Sequence, residues 1–210
     1  MVGKYIAVIG DMVDSRGVNR VSSHHALTDS LARVDAGSVQ SLHPTVGDEI
    51  QGVFATIGDA FRAMHQCRIE LMIRGADIRW GIGYGEIVTI DPKLDIQDGS
   101  GWWNAREALN QLVSVEEKAG WSNIRTYFYT EEKERSSFGQ WILPLSHMID
   151  VHMTRLNPST STTLRGVLRG DSNQQVARRL KISPAANSMR VNDNDLRPLA
   201  AAMKSLWELP

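Results

Sequence analysis

The chain has 210 residues, of which 42% are hydrophobic and 22% are charged, and its formal net charge is -1 at neutral pH. This size accommodates one ordinary globular domain with a small appendage, and the balanced charge excludes a general affinity for polyanions. A single cysteine, Cys67, excludes an intrachain disulfide and a zinc site built from several cysteines. We expect a cytoplasmic protein without a membrane partner, because the sequence shows neither a secretion signal nor an apolar run of membrane-spanning length.

The first predicted elements are a strand, a helix and a hairpin. Residues 5–9 are continuously apolar and lead into Asp11, which predicts a central strand buried on both faces with a carboxylate at its C-terminal end. Residues 21–34 show weak helical periodicity. Residues 44–54 predict a β-hairpin with the sequence Gly-Asp-Glu, residues 47–49, at its tip.

Helices and strands alternate through the middle of the chain. Apolar spacing predicts a helix over residues 57–75, and residues 78–88 predict a strand whose alternating glycines let another backbone or a ligand come close. Residues 91–101 are rich in turn formers and predict a loop, followed by an amphipathic helix from Trp102 and a last strand over 124–129. The order predicts an α+β fold, an antiparallel sheet with helices on one face.

The last third of the chain differs in composition. We divide the chain into a sheet-containing domain over residues 1–135, a linker over 136–158 formed by a helix that has Pro144 in its first turn and ends near Leu156, and a small all-α domain over 159–210. Seven basic residues lie between positions 155 and 190 against one acid, Asp171, although such a run is often only a solvated face.

Asp11 and Asp48 form the candidate metal site. If the strand that ends at Asp11 lies beside the hairpin, the two carboxylates can share one or two hard cations, Mg²⁺ or Mn²⁺. Two such ions would suit an in-line attack on a phosphate. Each aspartate alone is also a common turn former.

Three segments resemble a known family. Residues 8–13 resemble the first metal-binding segment of class III nucleotidyl cyclases, residues 46–49 the second, and residues 79–87 the strand that follows. The Gly-Asp-Glu tip is also similar to the related GGDEF hairpin, and the whole chain most closely resembles the SatD family. This resemblance implies a palm-like, ferredoxin-like fold with metal contacts at Asp11 and Asp48 and a further ligand in the carbonyl of Met12.

One helix departs from the cyclase pattern. Cyclases carry an Asn and an Arg four residues apart on the helix after the glycine-rich strand, but here Asn104 is followed at that distance by Ala108. The nearby Arg106 is out of register. Cyclisation is therefore left open.

Further candidates surround the metal site. Glu49 is a candidate metal ligand, a base or a turn residue, three readings that stay open. Candidate nucleotide and phosphate ligands offer hydroxyl, carboxylate or bidentate guanidinium groups: Asp14, Ser15, Arg16 and Arg106. The pair Trp102 and Trp103 is suited to stacking on a base, but core packing is the favoured reading at the start of an amphipathic helix.

The C-terminal region resembles a helix-turn-helix. Ser172 is expected to cap its first helix, Ala177 to allow close helix crossing, and Ser183 with Pro184 to start its second helix. Two positions depart from the usual pattern, Lys181 where the turn commonly has Gly and Asn187 where an apolar residue commonly faces the core. The alternative is a helical packing or dimerisation appendage. Candidate DNA contacts are Arg178, Arg179, Lys181, Ser183, Asn187, Ser188 and Arg190.

Three functions compete at this point. The first is a regulatory protein, expected to be a homodimer, in which a palm domain binds a nucleoside triphosphate or other nucleotide with a metal and the C-terminal region binds DNA. The second is an active nucleotidyltransferase or cyclase-like enzyme with two metal ions. The third is a palm remnant that serves only as a dimerisation scaffold. We favour the first, because the metal pair is present and the cyclase Asn and Arg pair is not.

Overall fold

The residues that the structure describes form six strands and eight helices, joined by turns and loops. The computed structural model describes residues 2–13, 20–45, 47–94 and 96–210, without the side chains of residues 20–23 and 133–138. The elements are β1 (Val2–Met12), α1 (Arg20–Leu31), β2 (Gln40–Pro44), β3 (Glu49–Phe54), α2 (Ile57–Ile73), β4 (Ile78–Asp91), β5 (Ile96–Asp98), α3 (Ser100–Glu116), β6 (Thr126–Tyr129), α4 (Lys133–Thr154), α5 (Pro158–Arg169), α6 (Asn173–Leu180), α7 (Pro184–Asp193) and α8 (Leu196–Trp207). The α+β class predicted from the sequence is confirmed.

The six strands form one mixed sheet. Its order is β2-β3-β1-β4-β5, with β6 paired to β4, and β1 runs antiparallel to both of its neighbours. The predicted wholly antiparallel sheet is wrong at one pairing, because β6 runs parallel to β4. Helix α3 connects these two strands and returns the chain to the end of the sheet where β4 began, which is the connection that a parallel pair requires.

Strand β1 is buried on both faces, as its apolar run predicts. Ile6 and Val8 point into the main core, which holds α2, α4, α5 and α8, whereas Ala7 and Ile9 point into a second core under α3. Helices therefore cover both faces, and the prediction of helices on one face is wrong. A strand that is apolar on both sides needs a packing layer on each.

The alternating glycines of β4 lie under α3. A Cβ atom added to Gly83 would clash with the backbone nitrogen of Ala105 and the carbonyl oxygen of Gly101, and one added to Gly81 would clash with the carbonyl oxygen of Ala105. The sequence left open whether another backbone or a ligand comes close to these glycines, and in the structure it is the backbone of α3. This contact fixes α3, and with it Arg106, over the sheet.

Two local predictions need correction. Residues 91–101 contain the short strand β5, which the turn-forming composition concealed. Pro144 lies inside α4 rather than in its first turn, because the helix begins at Lys133. The loss of one backbone hydrogen bond at the proline is tolerated in a helix that buries Ile142 and Ile149 in the main core.

The C-terminal region, residues 159–210, packs onto α2. Leu164 of α5 and Met203 of α8 belong to the same main core as the sheet. The backbone N–H of Gly58 donates to the carbonyl of Leu209 at 3.2 Å, at the N-terminal end of α2. The domain boundaries at residues 135 and 158 stay a prediction. In the described part of the chain no helix has both the length and the apolar character needed to cross a membrane.

Candidate functional site

The end of β1 lies beside the hairpin. Asp11 stands directly opposite Glu49 of β3 on one side and opposite Arg79 of β4 on the other. Alternation along β1 puts Asp11 on the same face as Ala7 and Ile9, which is the face that α3 covers. The neighbouring strands that the metal hypothesis required are therefore present.

The hairpin tip is held by its own backbone. Gly47 adopts a φ of 74°, a left-handed conformation that favours glycine, and the N–H of Thr45 donates to the carbonyl of Glu49 at 2.9 Å. Asp48 thus sits in the turn, and Glu49 begins β3. We call Asp11, Asp48 and Glu49 the acidic corner.

Two arginines neutralise part of the acidic corner. Arg106 of α3 pairs with Glu49 through Nη2 and Oε2 at 2.6 Å, and Arg79 lies 3.8 Å from the Asp11 carboxylate. The side-chain amide of Gln51 donates to Glu49 at 3.1 Å. Three carboxylates and two guanidinium groups therefore meet at one end of the sheet.

Asp11 carries an unfavourable charge in this setting. Burial raises the pKa of Asp11, and the charge of Asp48 raises it further, while Arg79 opposes both. A bound cation would relieve this accumulation of negative charge, and carboxylates are suitable ligands for Mg²⁺ or Mn²⁺. The side chain of Met12 is buried in the main core, so only its backbone can serve a site at Asp11.

The described residues do not form a complete metal cage. Among them, no group of three or more His, Cys, Asp or Glu side chains is arranged to hold a metal ion. The candidate ligands Asp14, Ser15 and Arg16 lie outside the described residues. A cation at this corner would complete its coordination with water or with phosphate oxygens, as Mg²⁺ sites commonly do.

A cleft of about 790 Å³ opens beside the acidic corner. Its lining includes Ile9 and Gln51 on the sheet and Trp102, Trp103 and Arg106 on α3. Core packing is confirmed for Trp102, which lies against the second core, but is wrong for Trp103, whose side chain is 64% exposed. Consecutive helical residues point about 100° apart, so only one of the pair can face the sheet.

Sequence reasoning missed a chain of alternating charges that leads away from Asp11. Beyond Arg79 this charge chain continues through Glu116, Arg125, Asp77, Arg68 and Asp150. Alternation along a strand places position 79 on the opposite face from Ile78, but the pairing of Arg79 with Asp11 depends on strand register. Long-range pairs such as Arg68 with Asp150 leave no local signal.

The C-terminal helices begin and end where their capping residues predict. Ser172 and Gln175 form a capping box at α6, and Ser183 caps α7 by accepting the N–H of Ala186. Lys181 adopts a left-handed conformation with φ 55° and ψ 42°, the conformation for which this turn commonly uses glycine. The departure at Lys181 is therefore accommodated without a change in the turn.

The candidate DNA contacts divide into surface and interior residues. Arg178, Arg179, Lys181, Ser183 and Ser188 are exposed, although Arg179 pairs with Asp171 at 2.9 Å. Arg190 is half-buried, and its Nη1 donates to the carbonyl of Ser159 at 3.4 Å.

The prediction that Asn187 contacts DNA is wrong, because this residue lies in the interior. Its side chain is 2% exposed, it accepts a hydrogen bond from Thr163 at 3.0 Å, and it donates one to Asn173 at 2.7 Å. Asn187 therefore joins α5, α6 and α7 from inside. A buried amide substitutes for the expected apolar residue because its polar atoms find partners there.

Comparison with known proteins identifies the family. The model of the SatD family matches residues 5–200. The chain belongs to the SatD family. A search of curated proteins finds no match to this SatD-family chain. A similar solved structure is the crystal structure of a regulator of polyketide synthase expression from Bifidobacterium adolescentis, with 12% identity, coverage of 98% of this chain and 85% of that one, and a TM-score of 0.30.

Proposed function

We propose that this SatD-family protein is a regulatory protein that binds a nucleotide with a divalent cation in a palm-like domain and binds DNA through a C-terminal helix-turn-helix. The observation that carries the nucleotide proposal is the meeting of Asp11, Glu49, Arg79 and Arg106 at one end of the sheet beside an open cleft. The order β2-β3-β1-β4 supports a palm-like reading, because it brings the hairpin tip to the end of β1.

The groups at the corner suit the parts of a nucleotide. Asp11 and Asp48 would hold the cation, and Arg106, whose side chain is 46% exposed, can turn from Glu49 to a phosphate. The cleft would take the nucleoside, with the exposed Trp103 offering an aromatic surface for a base. Asp14, Ser15 and Arg16 stay candidates for phosphate binding.

Asp48→Asn is expected to abolish metal-dependent nucleotide binding, because the change removes a charge from the hairpin turn without changing its size. Isothermal titration calorimetry with nucleoside triphosphates and Mn²⁺ measures the affinity. The matched control is Asp193→Asn, an exposed carboxylate at the end of α7, which should bind as wild type does. Equal affinity in the two variants would contradict the metal site, whereas wild-type protein that binds no triphosphate would favour the scaffold reading.

The enzyme reading, a nucleotidyltransferase or cyclase-like protein with two metal ions, is the competing proposal. Asn104 is buried and donates to the carbonyl of Tyr84 at 2.8 Å, so it serves the fold and not a bound nucleotide. Binding without cyclisation is therefore preferred. Incubation with radiolabelled triphosphates and Mn²⁺, followed by separation of products, distinguishes the two, because only an enzyme converts the label.

Arg178→Ala combined with Arg179→Ala is expected to weaken binding to duplex DNA and to reduce the slope of log K against log salt by about 1 to 2, because each phosphate contact releases counterions. Mobility shifts over a salt series measure both quantities. The control is Arg197→Ala combined with Lys204→Ala, which removes two exposed basic side chains from α8. Wild-type protein that shifts no genomic fragment would favour the packing or dimerisation appendage. Homodimer formation and a cytoplasmic location stay predictions from the sequence.

A further inference from the structure

A second cavity lies on the opposite side of the sheet from the acidic corner. It has a volume of about 300 Å³, and residues from α2, α5 and α8 and from the segment that follows α1 surround it. The lining residues are Arg33, Asp35, Arg62, Gln66, Ile69, Glu70, Arg165, Leu168, Arg169 and Trp207. The nucleotide proposal uses none of them.

The lining is strongly basic for a chain of nearly balanced charge. Four arginines face the cavity, Arg33, Arg62, Arg165 and Arg169, against the two carboxylates of Asp35 and Glu70. The formal excess is therefore two positive charges. Like charges gathered around a small cavity repel one another unless an anion lies between them.

Glu70 cannot supply that anion for all four arginines. Its side chain is 3% exposed, and its carboxylate accepts hydrogen bonds from Arg165 at 2.8 and 3.0 Å and from Arg74 at 3.2 Å. Arg33 approaches the same carboxylate at 3.8 Å. The charge of Glu70 is thus shared among cations that include Arg74, which does not line the cavity.

Two of the arginines have no counterion among the residues that the structure describes. Within the described part of the chain, neither Arg62 nor Arg169 forms an ion pair or a hydrogen bond through its side chain. The Nε atoms of Arg62 and Arg165 are buried without an acceptor. Buried guanidinium donors are costly when unpaired, so this cavity is chemically incomplete without a ligand that accepts hydrogen bonds.

We propose that this cavity binds the phosphate group of a small phosphorylated molecule. A phosphate monoester carries up to two negative charges and three terminal oxygens, which match the excess of two positive charges and the unpaired donors of Arg62 and Arg165. Ile69, Leu168 and Trp207 provide an apolar wall for the organic part of the ligand. A volume of about 300 Å³ admits a ligand of the size of a sugar phosphate.

Occupancy would join the two parts of the chain. Arg33 and Arg62 belong to the N-terminal part, whereas Arg165 and Arg169 lie on α5, which leads into α6. A phosphate held by both sets stabilises the packing of the C-terminal region on α2, because a ligand that binds only the folded state raises its stability by mass action.

The test uses the full chain in a phosphate-free buffer of fixed ionic strength, with a chelator to keep the cation site empty. Calorimetric titration with inorganic phosphate and with ribose 5-phosphate is expected to show saturable binding and a rise in Tm. Arg62→Gln is expected to weaken that binding at least tenfold without leaving a carboxylate unpaired. Arg197→Gln, an exposed arginine of α8 outside the cavity, should bind as wild type does.

Each outcome decides the proposal. Absence of saturable binding to the wild type, or equal binding by Arg62→Gln and Arg197→Gln, overturns it. If Arg62→Gln does not fold, the exposed Arg169→Gln serves as the second variant, and wild-type affinity there also overturns it. Tighter binding of ribose 5-phosphate supports contact of the organic part with the apolar wall, and equal binding supports a site for the phosphate ion. Asp48→Asn should retain this binding, which separates it from failure of the nucleotide proposal.

Discussion

Replacement of Arg68 by Met is expected to lower the free energy of unfolding by about 3–5 kcal/mol, among the largest effects of any single substitution in this chain. Arg68 is 1% exposed and binds two carboxylates, Asp77 through Nε at 2.7 Å and Asp150 through Nη1 at 2.7 Å. Its Nη2 also donates to Thr154 at 2.8 Å. Removal of the guanidinium leaves both carboxylates without this counterion in the interior, and Met recovers only part of the packing.

The pKa of Asp77 shows why the loss of stability in Arg68→Met is large. Burial by itself raises the pKa of Asp77, but Arg68 and then Arg125 reverse that effect and hold the pKa below its usual value. Without Arg68, the Asp77 carboxylate keeps the counterion Arg125 at 2.8 Å and a hydrogen bond from the backbone N–H of Ile78 at 2.9 Å. Asp150, 2% exposed, keeps hydrogen bonds from the backbone N–H of Arg125 and from Thr126 but loses its counterion.

Urea denaturation of Arg68→Met, of Asp150→Asn, of the double variant and of one control measures this effect. Arg197→Met, which removes an exposed arginine of α8, is the control and should change stability by less than about 0.5 kcal/mol. Arg68→Met with Asp150→Asn should cost less than the sum of the single changes, because the double variant leaves no unpaired charge at position 150. Additive costs would contradict an energetic coupling between Arg68 and Asp150.

Acidification from pH 7 to pH 4 is expected to remove most of the stability that His65 contributes. Burial, aided by the charge of Arg68, lowers the pKa of His65 from its ordinary 6.5 to about 3. Because the folded-state pKa is the lower one, the unfolded chain binds the proton first. The contribution is complete above pH 6.5 and decreases by at most about 1.4 kcal/mol per pH unit as the pH falls towards 3.

Protonation of His65 costs stability because its imidazole connects α2 to the C-terminal end of the chain. The indole N–H of Trp207 donates to Nδ1 of His65 at 2.9 Å, so this nitrogen must keep its lone pair. Protonation of the imidazole would break this hydrogen bond and place a charge beside Arg68. Acid is therefore expected to weaken the packing of α8 on α2.

The difference in unfolding free energy between wild type and His65→Gln isolates this titration. The stability advantage of the wild type should shrink with falling pH, whereas the same comparison with His24→Gln, an exposed histidine of α1, should stay level. His147 also has a pKa lowered by burial, and its contribution cancels in both comparisons. A wild-type advantage that does not change between pH 7 and pH 4 would contradict a neutral buried His65.

Local patterns predicted most of the elements. The apolar run at the start of β1, the helical spacing of α2 and the capping residues Ser172 and Ser183 each determine structure within a few residues. The predictions that needed correction concern features that are set by contacts with distant parts of the chain. Pro144 lies in mid-helix because α4 packs against the main core, and β6 is parallel because α3 crosses the sheet.

Some residues of the candidate site could likewise be recognised from local sequence, and others could not. Asp11 and the Gly-Asp-Glu tip were recognisable because a carboxylate after a buried strand and an acidic turn are both local features. Arg79 was not, because its contact with Asp11 depends on the register between β1 and β4. The arginine-lined cavity left no sequence signal either, since it gathers Arg33, Arg62 and Arg165 from three separate segments of the chain.

The sequence by itself determined the α+β class, the central strand β1, the acidic residues at the end of β1 and at the hairpin tip, and the ends of the C-terminal helices, because periodicity, turn chemistry and capping act over a few residues. Only the tertiary structure decided which side chains meet the acidic corner, that helices cover both faces of the sheet, and that Asn187 is an interior residue. Those outcomes depend on burial and pairing between segments far apart in the chain. Hydrogen bonds and ion pairs of that kind are set by packing, which no short stretch of sequence encodes.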